Sequence, residues 1–214
     1  MRCWQLHFNT ASLALLLFLA ACRPVPRQAA FDERLWDSLS CGDIVFLDGA
    51  TLRSEAVRAL APSASAYSHV GIVTEAPSTF HHSRNHWRIV HASPGGGSGL
   101  PDADARVREE PLDEFLADPH VKEAHLWRWK GDAHIACAAA RWAEKQVGLP
   151  FDRDFRFETD SALYCTELVW KAFRSTGTVL CDPKGEEVRL PFRKGWILFP
   201  VQMTTTGALR RIRP

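Results

Sequence analysis

The first twenty-one residues constrain the fold most, because they restrict the folded part of the chain to the residues after them. They carry one charged side chain, Arg2, and an almost wholly apolar run from Ala11 to Ala20. A run of about ten apolar residues is too short for a bilayer span, which needs roughly 20. The segment is typical of a secretory signal, so the folded part begins no earlier than Cys22 and has the size of one domain.

This segment ends in Leu19-Ala-Ala-Cys22, which has the pattern of a lipobox. In that pattern the signal peptide is cut before the cysteine, and the thiol of Cys22 carries a diacylglycerol. Two or three acyl chains suffice for stable anchoring in a membrane. We therefore expect a signal peptide over residues 1–21, a lipidated cysteine and tether over residues 22–40, and a folded domain over residues 41–214.

The residue after the lipobox indicates the membrane. Arg23 stands where Asp would favour retention in the inner membrane. The expected location is therefore the outer membrane, with the domain facing the periplasm. The alternative is an ordinary cleaved signal peptide without a lipid.

The charge balance argues against nucleic acid as a partner. The chain carries 26 basic and 25 acidic side chains, and loss of Arg2 with the signal segment makes the two numbers equal. Domains that bind nucleic acid instead concentrate an excess of Lys and Arg on one face. A domain of this size also folds without disulfides or a structural metal, so its cysteines are considered first as reactive groups and only then as stabilising ones.

The pattern of apolar residues predicts short strands and helices. Compact or alternating apolar runs bounded by Gly and Pro predict strands, and apolar positions three and four residues apart predict helices. The predicted strands cover residues 43–47, 69–74, 88–92, 124–129 and 196–199, and the predicted helices cover 52–61, 111–116, 132–147 and 163–175. This proportion predicts an α+β domain built on an antiparallel sheet.

Cys165 lies in the first turn of the last predicted helix, on the face that packs inward with Leu168 and Val169. A buried thiol of this kind can be ordinary core. However, the unpaired amides and the positive dipole end of a helix N-terminus favour a thiolate, and we expect them to lower the thiol pKa. Asp160 or Ser161 is expected to cap this end of the helix. Cys165 is therefore a candidate nucleophile.

Two histidines lie on neighbouring predicted strands, and each also fits a hydrogen-bonded core histidine. His69 opens one strand, and His91 closes the next. If the strands form a hairpin that pairs residue 69 with 91 and residue 74 with 86, the two imidazoles lie side by side on one face. One imidazole then orients the other through its second nitrogen, as the third member of a catalytic triad does.

Four motifs stand in an order that resembles a known family. They are Cys41-Gly-Asp-Ile-Val-Phe, Ser68-His-Val-Gly-Ile-Val, Ile89-Val-His-Ala-Ser and Tyr164-Cys-Thr-Glu-Leu-Val-Trp-Lys-Ala-Phe. The sequence resembles the permuted NlpC-type hydrolases of the YiiX and YaeF kind, relatives of papain and of lecithin:retinol acyltransferase. The resemblance covers roughly residues 41–199. It implies a circularly permuted papain-like domain, in which the helix that carries the cysteine packs on an antiparallel sheet.

The resemblance also implies roles for individual residues. Cys165 is the implied nucleophile, His69 the base, and His91 the residue that orients the base, where many relatives carry Glu or Gln. The segment Gly148-Leu-Pro-Phe-Asp152 resembles the family's approach to its cysteine, and Asp152 is either structural or faces the substrate. The implied chemistry is acyl transfer without a cofactor, with the backbone N–H of Cys165 as oxyanion donor.

Location and resemblance favour a peptide amide in cell-wall stems as the substrate. A lipid ester or fatty amide, cleaved or transferred, is the second candidate. A lipoprotein that only binds the envelope is a further alternative. The same two histidines and one cysteine also fit catalytic zinc, with His81, His82 and His86 on the intervening loop, although no His-Glu-x-x-His motif is present.

Three further cysteines, Cys41, Cys137 and Cys181, face an oxidising compartment in this interpretation. One disulfide among them is possible, and Cys137 also fits ordinary core. The sequence does not choose the pair. Any disulfide has to leave Cys165 free.

Overall fold

The computed structural model describes residues 31–61, 67–75, 86–95, 104–190 and 193–213. The expected signal peptide, the lipidation site Cys22 and the first part of the tether, up to residue 30, lie outside these ranges, as do His81 and His82. Within them, no helix has both the length and the apolar character that crossing a membrane requires.

Six strands form one antiparallel sheet, and two more form a separate hairpin. The sheet strands are β1 (Ile44–Gly49), β2 (His69–Glu75), β3 (Trp87–Ser93), β4 (Arg106–Pro111), β5 (Val121–Trp129) and β8 (Leu209–Arg211). They lie side by side in the order β4-β3-β2-β1-β5-β8. The hairpin consists of β6 (Glu186–Leu190) and β7 (Arg193–Ile197).

Helices cover both faces of the sheet. They are a 3₁₀ helix (Glu33–Ser38), α1 (Leu52–Leu60), α2 (Leu112–Leu116), α3 (Ala133–Glu144), α4 (Cys165–Arg174) and α5 (Pro200–Thr205). Because successive side chains of a strand point to opposite faces, the central strands contribute to two cores. One core contains α3 and α4, and the other contains the 3₁₀ helix and α2. The predicted α+β class with a cysteine-bearing helix on an antiparallel sheet is confirmed.

The folded part begins earlier in the chain than the sequence predicts. Phe31, Leu35, Trp36 and Leu39 are buried in the core that contains α2. Residues 31–40 therefore belong to the domain, and the predicted boundary at residue 41 is too late. The short 3₁₀ helix carries too few apolar positions to show a helical period in the sequence.

A disulfide joins Cys41, just before β1, to Cys137 on α3. Cys165 and Cys181 are free among the described cysteines. The bond closes a loop of 96 residues and fastens α3 to the sheet. It leaves the candidate nucleophile reduced, as the chemistry of a thiol hydrolase requires.

Candidate active site

Three polar side chains form a hydrogen-bonded row across β2, β3 and β4. His69 Nε2 lies 2.9 Å from His91 Nδ1, and His91 Nε2 lies 2.7 Å from the carboxylate of Glu110. The ring of Phe115 on α2 covers both imidazoles, with centroids 4.8 Å from His91 and 6.1 Å from His69. The two predicted histidines thus lie together, and Glu110 is a third member that the sequence interpretation missed.

The register of β2 and β3 differs from the predicted one by two residues. Ile72 pairs with Val90, which places residue 91 opposite residue 71 and makes the predicted pairing of His69 with His91 wrong. The two histidines are diagonal neighbours and still share a face, because an even shift preserves the alternation of side chains. For the same reason the apolar pattern of the sequence does not distinguish the two registers.

Gly71 explains how His91 reaches His69 diagonally. A Cβ at residue 71 would lie 2.7 Å from Ile89 Cδ1 and 3.1 Å from the Cβ of His91. Both distances are shorter than ordinary van der Waals contact, so a side chain would push His91 away from β2. The glycine of Ser68-His-Val-Gly is therefore part of the site's geometry.

The carboxylate of Glu110 fixes the hydrogens on both rings. The hydrogen bond from His91 lowers the pKa of Glu110, so this group is an acceptor at neutral pH, and His91 Nε2 carries a hydrogen. In a neutral His91 the Nδ1 atom then accepts, and His69 donates from Nε2. This leaves the lone pair of His69 on Nδ1, the nitrogen that does not face His91.

Cys165 is the first residue of α4 and is partly exposed. The body of α4 packs on the sheet face opposite to the histidine row. At its start, however, the helix reaches β2, where the backbone N–H of Val70 donates to the Cys165 sulfur. Val70 directly follows His69 and precedes the stretch in which β2 pairs with β3. The thiol therefore meets the strand at the residue adjacent to the candidate base.

Burial determines the protonation state of both groups. It raises the pKa of the Cys165 thiol, and hydrogen bonds from Thr166 and Val70 offset this only in part. The predicted lowering of this pKa by the helix N-terminus is therefore wrong, because desolvation outweighs the dipole. Burial, with a smaller contribution from His91, also lowers the pKa of His69 to about 3. Both shifts favour a neutral thiol beside a neutral imidazole over a preformed ion pair.

Glu167 holds the N-terminus of α4 in place of the predicted cap. Its carboxylate accepts the backbone N–H of Tyr164, the N-cap residue, at 3.3 Å. Its other oxygen lies 2.8 Å from Lys171 Nζ, which also donates to the backbone oxygen of Thr159. Burial, only partly offset by Lys171, raises the pKa of Glu167 to about 7. The prediction that Asp160 or Ser161 caps the helix is wrong, since Asp160 is an exposed partner of Lys171.

Asp152 shapes the loop that leads to the cysteine. It is buried, and its two carboxylate oxygens accept the backbone N–H groups of Asp154 and Arg156. Between them, Phe155 has a φ of 53°, which is the left-handed region that non-glycine residues rarely adopt. Of the two roles that the sequence left open for Asp152, these bonds support the structural one, because they hold the loop in its conformation.

The described residues do not fit a metal ion at the site. No group of three or more His, Cys, Asp or Glu side chains in these ranges is arranged to hold one. Three of the four imidazole nitrogens of His69 and His91 face hydrogen-bond partners within the row. His86, the described member of the loop histidines, packs against the ring of Trp87.

A cysteine at the start of a helix and a histidine on an adjoining antiparallel strand define a papain-like domain. The permuted papain-like amidases of the YaeF/YiiX kind match residues 38–184, and the chain belongs to this family of cysteine hydrolases. The crystal structure of the metalloprotein YiiX from Escherichia coli O157:H7 is similar, with a TM-score of 0.57 and 20% identity, over 81% of this chain and 96% of that chain. That likeness supports the fold. No curated protein sequence matches the chain.

Proposed function

We propose that this protein is a lipid-anchored envelope amidase that cleaves an amide in cell-wall stem peptides with Cys165, His69 and His91. The observation that carries the proposal is the row from His69 through His91 to Glu110. It leaves one imidazole nitrogen unprotonated beside the strand residue that Cys165 contacts. An orienting partner behind a base, next to a nucleophile on a helix N-terminus, is the arrangement of a thiol hydrolase.

The proposed reaction uses these residues in the following roles. His69 Nδ1 takes the thiol proton as the sulfur attacks the amide carbon, and the backbone N–H of Cys165 stabilises the oxyanion. His69 then gives that proton to the leaving nitrogen, and the C–N bond breaks to leave a thioester on Cys165. A water molecule gives a proton to His69 and attacks the thioester, which releases the acid and restores the thiol. Because thiol and imidazole are neutral at rest, proton transfer accompanies the attack.

The envelope assignment rests on the leader pattern, and the substrate assignment rests on location together with the amidase family. A lipid ester or fatty amide remains the second candidate substrate. We expect the purified full chain in detergent to release products from muropeptides and not from phospholipids, as measured by mass spectrometry. Phospholipid products that depend on Cys165, without muropeptide products, would replace the peptide assignment with the lipid one.

Anchoring is tested separately from catalysis. Because the acyl chains are the expected attachment to the membrane, we expect Cys22→Ser to leave the domain folded and to release it from envelopes. Membrane fractionation after a salt wash measures this. Sedimentation of the variant with the envelopes would contradict the lipobox assignment and leave the amidase assignment unaffected.

A further inference from the structure

A groove of about 590 Å³ lies between the loop at residues 154–158 and the β6–β7 hairpin. Its aromatic lining residues are Phe155, Phe157 and Trp196, and its charged lining residues are Asp154, Arg156, Glu158 and Lys184. Trp196 is 48% exposed, although large apolar side chains are usually covered. Lys184 Nζ lies 4.5 Å from the centroid of the Trp196 ring.

The loop side of this groove is held in a costly conformation. The left-handed backbone of Phe155 is maintained by Asp152, which binds the N–H groups on either side of it. Strain of this kind is costly and persists where the surrounding structure enforces it, often at ligand sites. The conformation turns the ring of Phe155 onto Tyr164, with centroids 5.2 Å apart.

The groove also rests on the helix that carries the candidate nucleophile. Tyr164 immediately precedes Cys165, and the ring of Phe157 packs on Trp170 of α4 at 4.9 Å. Two aromatic residues that line the groove therefore pack on α4 and on the residue just before it, and the first residue of this helix is the thiol.

The charges that line the groove select the class of ligand. Two carboxylates and two cations face it, so it lacks the cationic excess that phosphate or nucleic acid requires. An acyl chain would bury methylene groups against four charges and desolvate them without compensation. Asp154 and Arg156 form a long, exposed pair at 3.7 Å, and exposed pairs of this kind contribute little to stability.

We propose that this groove binds a zwitterionic peptide segment of the substrate. Arg156 and Lys184 pair with its carboxylates, Asp154 and Glu158 pair with its ammonium groups, and Trp196 contacts its apolar side chains. Stem peptides, which carry both kinds of charge, belong to this class. The assignment deepens the proposed function and rests on it for the identity of the substrate.

The test is peptide binding to the full chain in detergent, made inert by Cys165→Ala. Isothermal titration calorimetry with the stem tetrapeptide L-Ala-D-Glu-L-Lys-D-Ala should give binding that Trp196→Ala weakens about five- to tenfold, the size of a lost aromatic contact. Lys184→Glu should weaken it as well, and Trp196→Phe should restore part of it. Val179→Ala and Lys130→Glu, which change exposed side chains outside the groove, are the matched controls.

The outcomes separate the groove from the catalytic assignment. Equal peptide affinity in the parent, Trp196→Ala and Lys184→Glu proteins would overturn the groove proposal, even if the chain with Cys165 hydrolyses muropeptides. Equal affinity for a tetrapeptide with its carboxylates and amines blocked would overturn the zwitterionic requirement. Groove-dependent binding without muropeptide hydrolysis by the chain with Cys165 would support the groove and contradict the amidase assignment.

Discussion

The two halves of the candidate site are held in place by different physical means. The base half, His69, His91 and Glu110, lies on three adjacent strands, and the sheet ladder sets its spacing. The nucleophile half, Cys165, depends on the carboxylates of Glu167 and Asp152, which accept hydrogen bonds from backbone N–H groups. It also depends on the buried pair of Glu167 and Lys171. Changes in the base half should therefore alter catalysis with little effect on folding. Changes around the nucleophile half should alter both.

The largest effect is expected at Cys165 itself. Cys165→Ala should remove turnover, because the thiol that forms the thioester is lost, at a cost of about 1 kcal/mol in stability. Cys181→Ala, which removes the other free thiol, should keep full turnover. Turnover on muropeptides and urea denaturation measure the two quantities. If Cys165→Ala turned over muropeptides as fast as the parent, the thiol mechanism would be wrong.

His69 and His91 should differ although their rings touch. His69→Ala should reduce turnover by about 10²–10⁴-fold, because the base is lost. His91→Gln should keep most of the activity, since an amide oxygen also accepts a hydrogen bond from His69 Nε2, whereas His91→Ala should lose an intermediate amount. The four variants His69→Ala, His69→Gln, His91→Ala and His91→Gln are compared for turnover on one substrate, with and without a chelator. Equal losses in both Gln variants with chelator inhibition would instead indicate a metal centre.

The sequence predicts the base half better than the nucleophile half. Apolar alternation locates β2 and β3, and the motifs around His69 and His91 place both residues on one face. Glu110 was missed because β4 is a charged edge strand with Val107 as its one buried residue, so no alternation marks it. Its position beside His91 follows from the β3–β4 register, which the sequence does not specify.

Around the nucleophile, the helix and its inward face are predicted correctly, but the cap and the electrostatics are not. Tyr164 is not a typical capping residue, so the polar residues Asp160 and Ser161 were the better candidates by propensity. The direction of the Cys165 pKa shift depends on how deeply the first turn is buried. Burial is a tertiary property, and it outweighs the local effect of the helix N-terminus.

Asp152 tests whether the nucleophile half depends on its loop. Asp152→Ala leaves the N–H groups of Asp154 and Arg156 without their acceptor and removes the restraint on Phe155. We expect a loss of about 1–3 kcal/mol in stability, because two partly buried backbone donors lose their acceptor, together with a higher KM. Asp154→Ala, an exposed neighbour, is the control for stability alone and should change the free energy of unfolding little. Unchanged stability in Asp152→Ala would show that the loop is held by its aromatic contacts alone.

The smallest effect on turnover is expected at Glu110. The same substitution also distinguishes two pH ranges in which the protein loses stability. In Glu110→Gln the amide oxygen still accepts from His91 Nε2, so turnover near neutral pH should fall only a few-fold. The pKa of Glu110 is lowered by the bond from His91, so its contribution to stability is present above its ordinary value of 4.5 and is lost as the pH falls further. The pKa of His69 is lowered from 6.5 to about 3, so folding is destabilised as the pH falls from 6.5 towards 3.

Urea denaturation from pH 3 to pH 8 distinguishes these contributions. The parent should lose stability as the pH falls below 6.5 and lose more as it falls below 4.5. Glu110→Gln should still lose stability below pH 6.5, but without the additional loss below pH 4.5. Glu109→Gln is the matched control. Glu109 directly precedes Glu110 on β4 and faces the other side of the sheet, so this variant should keep full turnover. If Glu110→Gln abolished turnover as His69→Ala does, the carboxylate charge and not the hydrogen-bond acceptor would be what the row requires. The base half would then depend on electrostatics as much as the nucleophile half does.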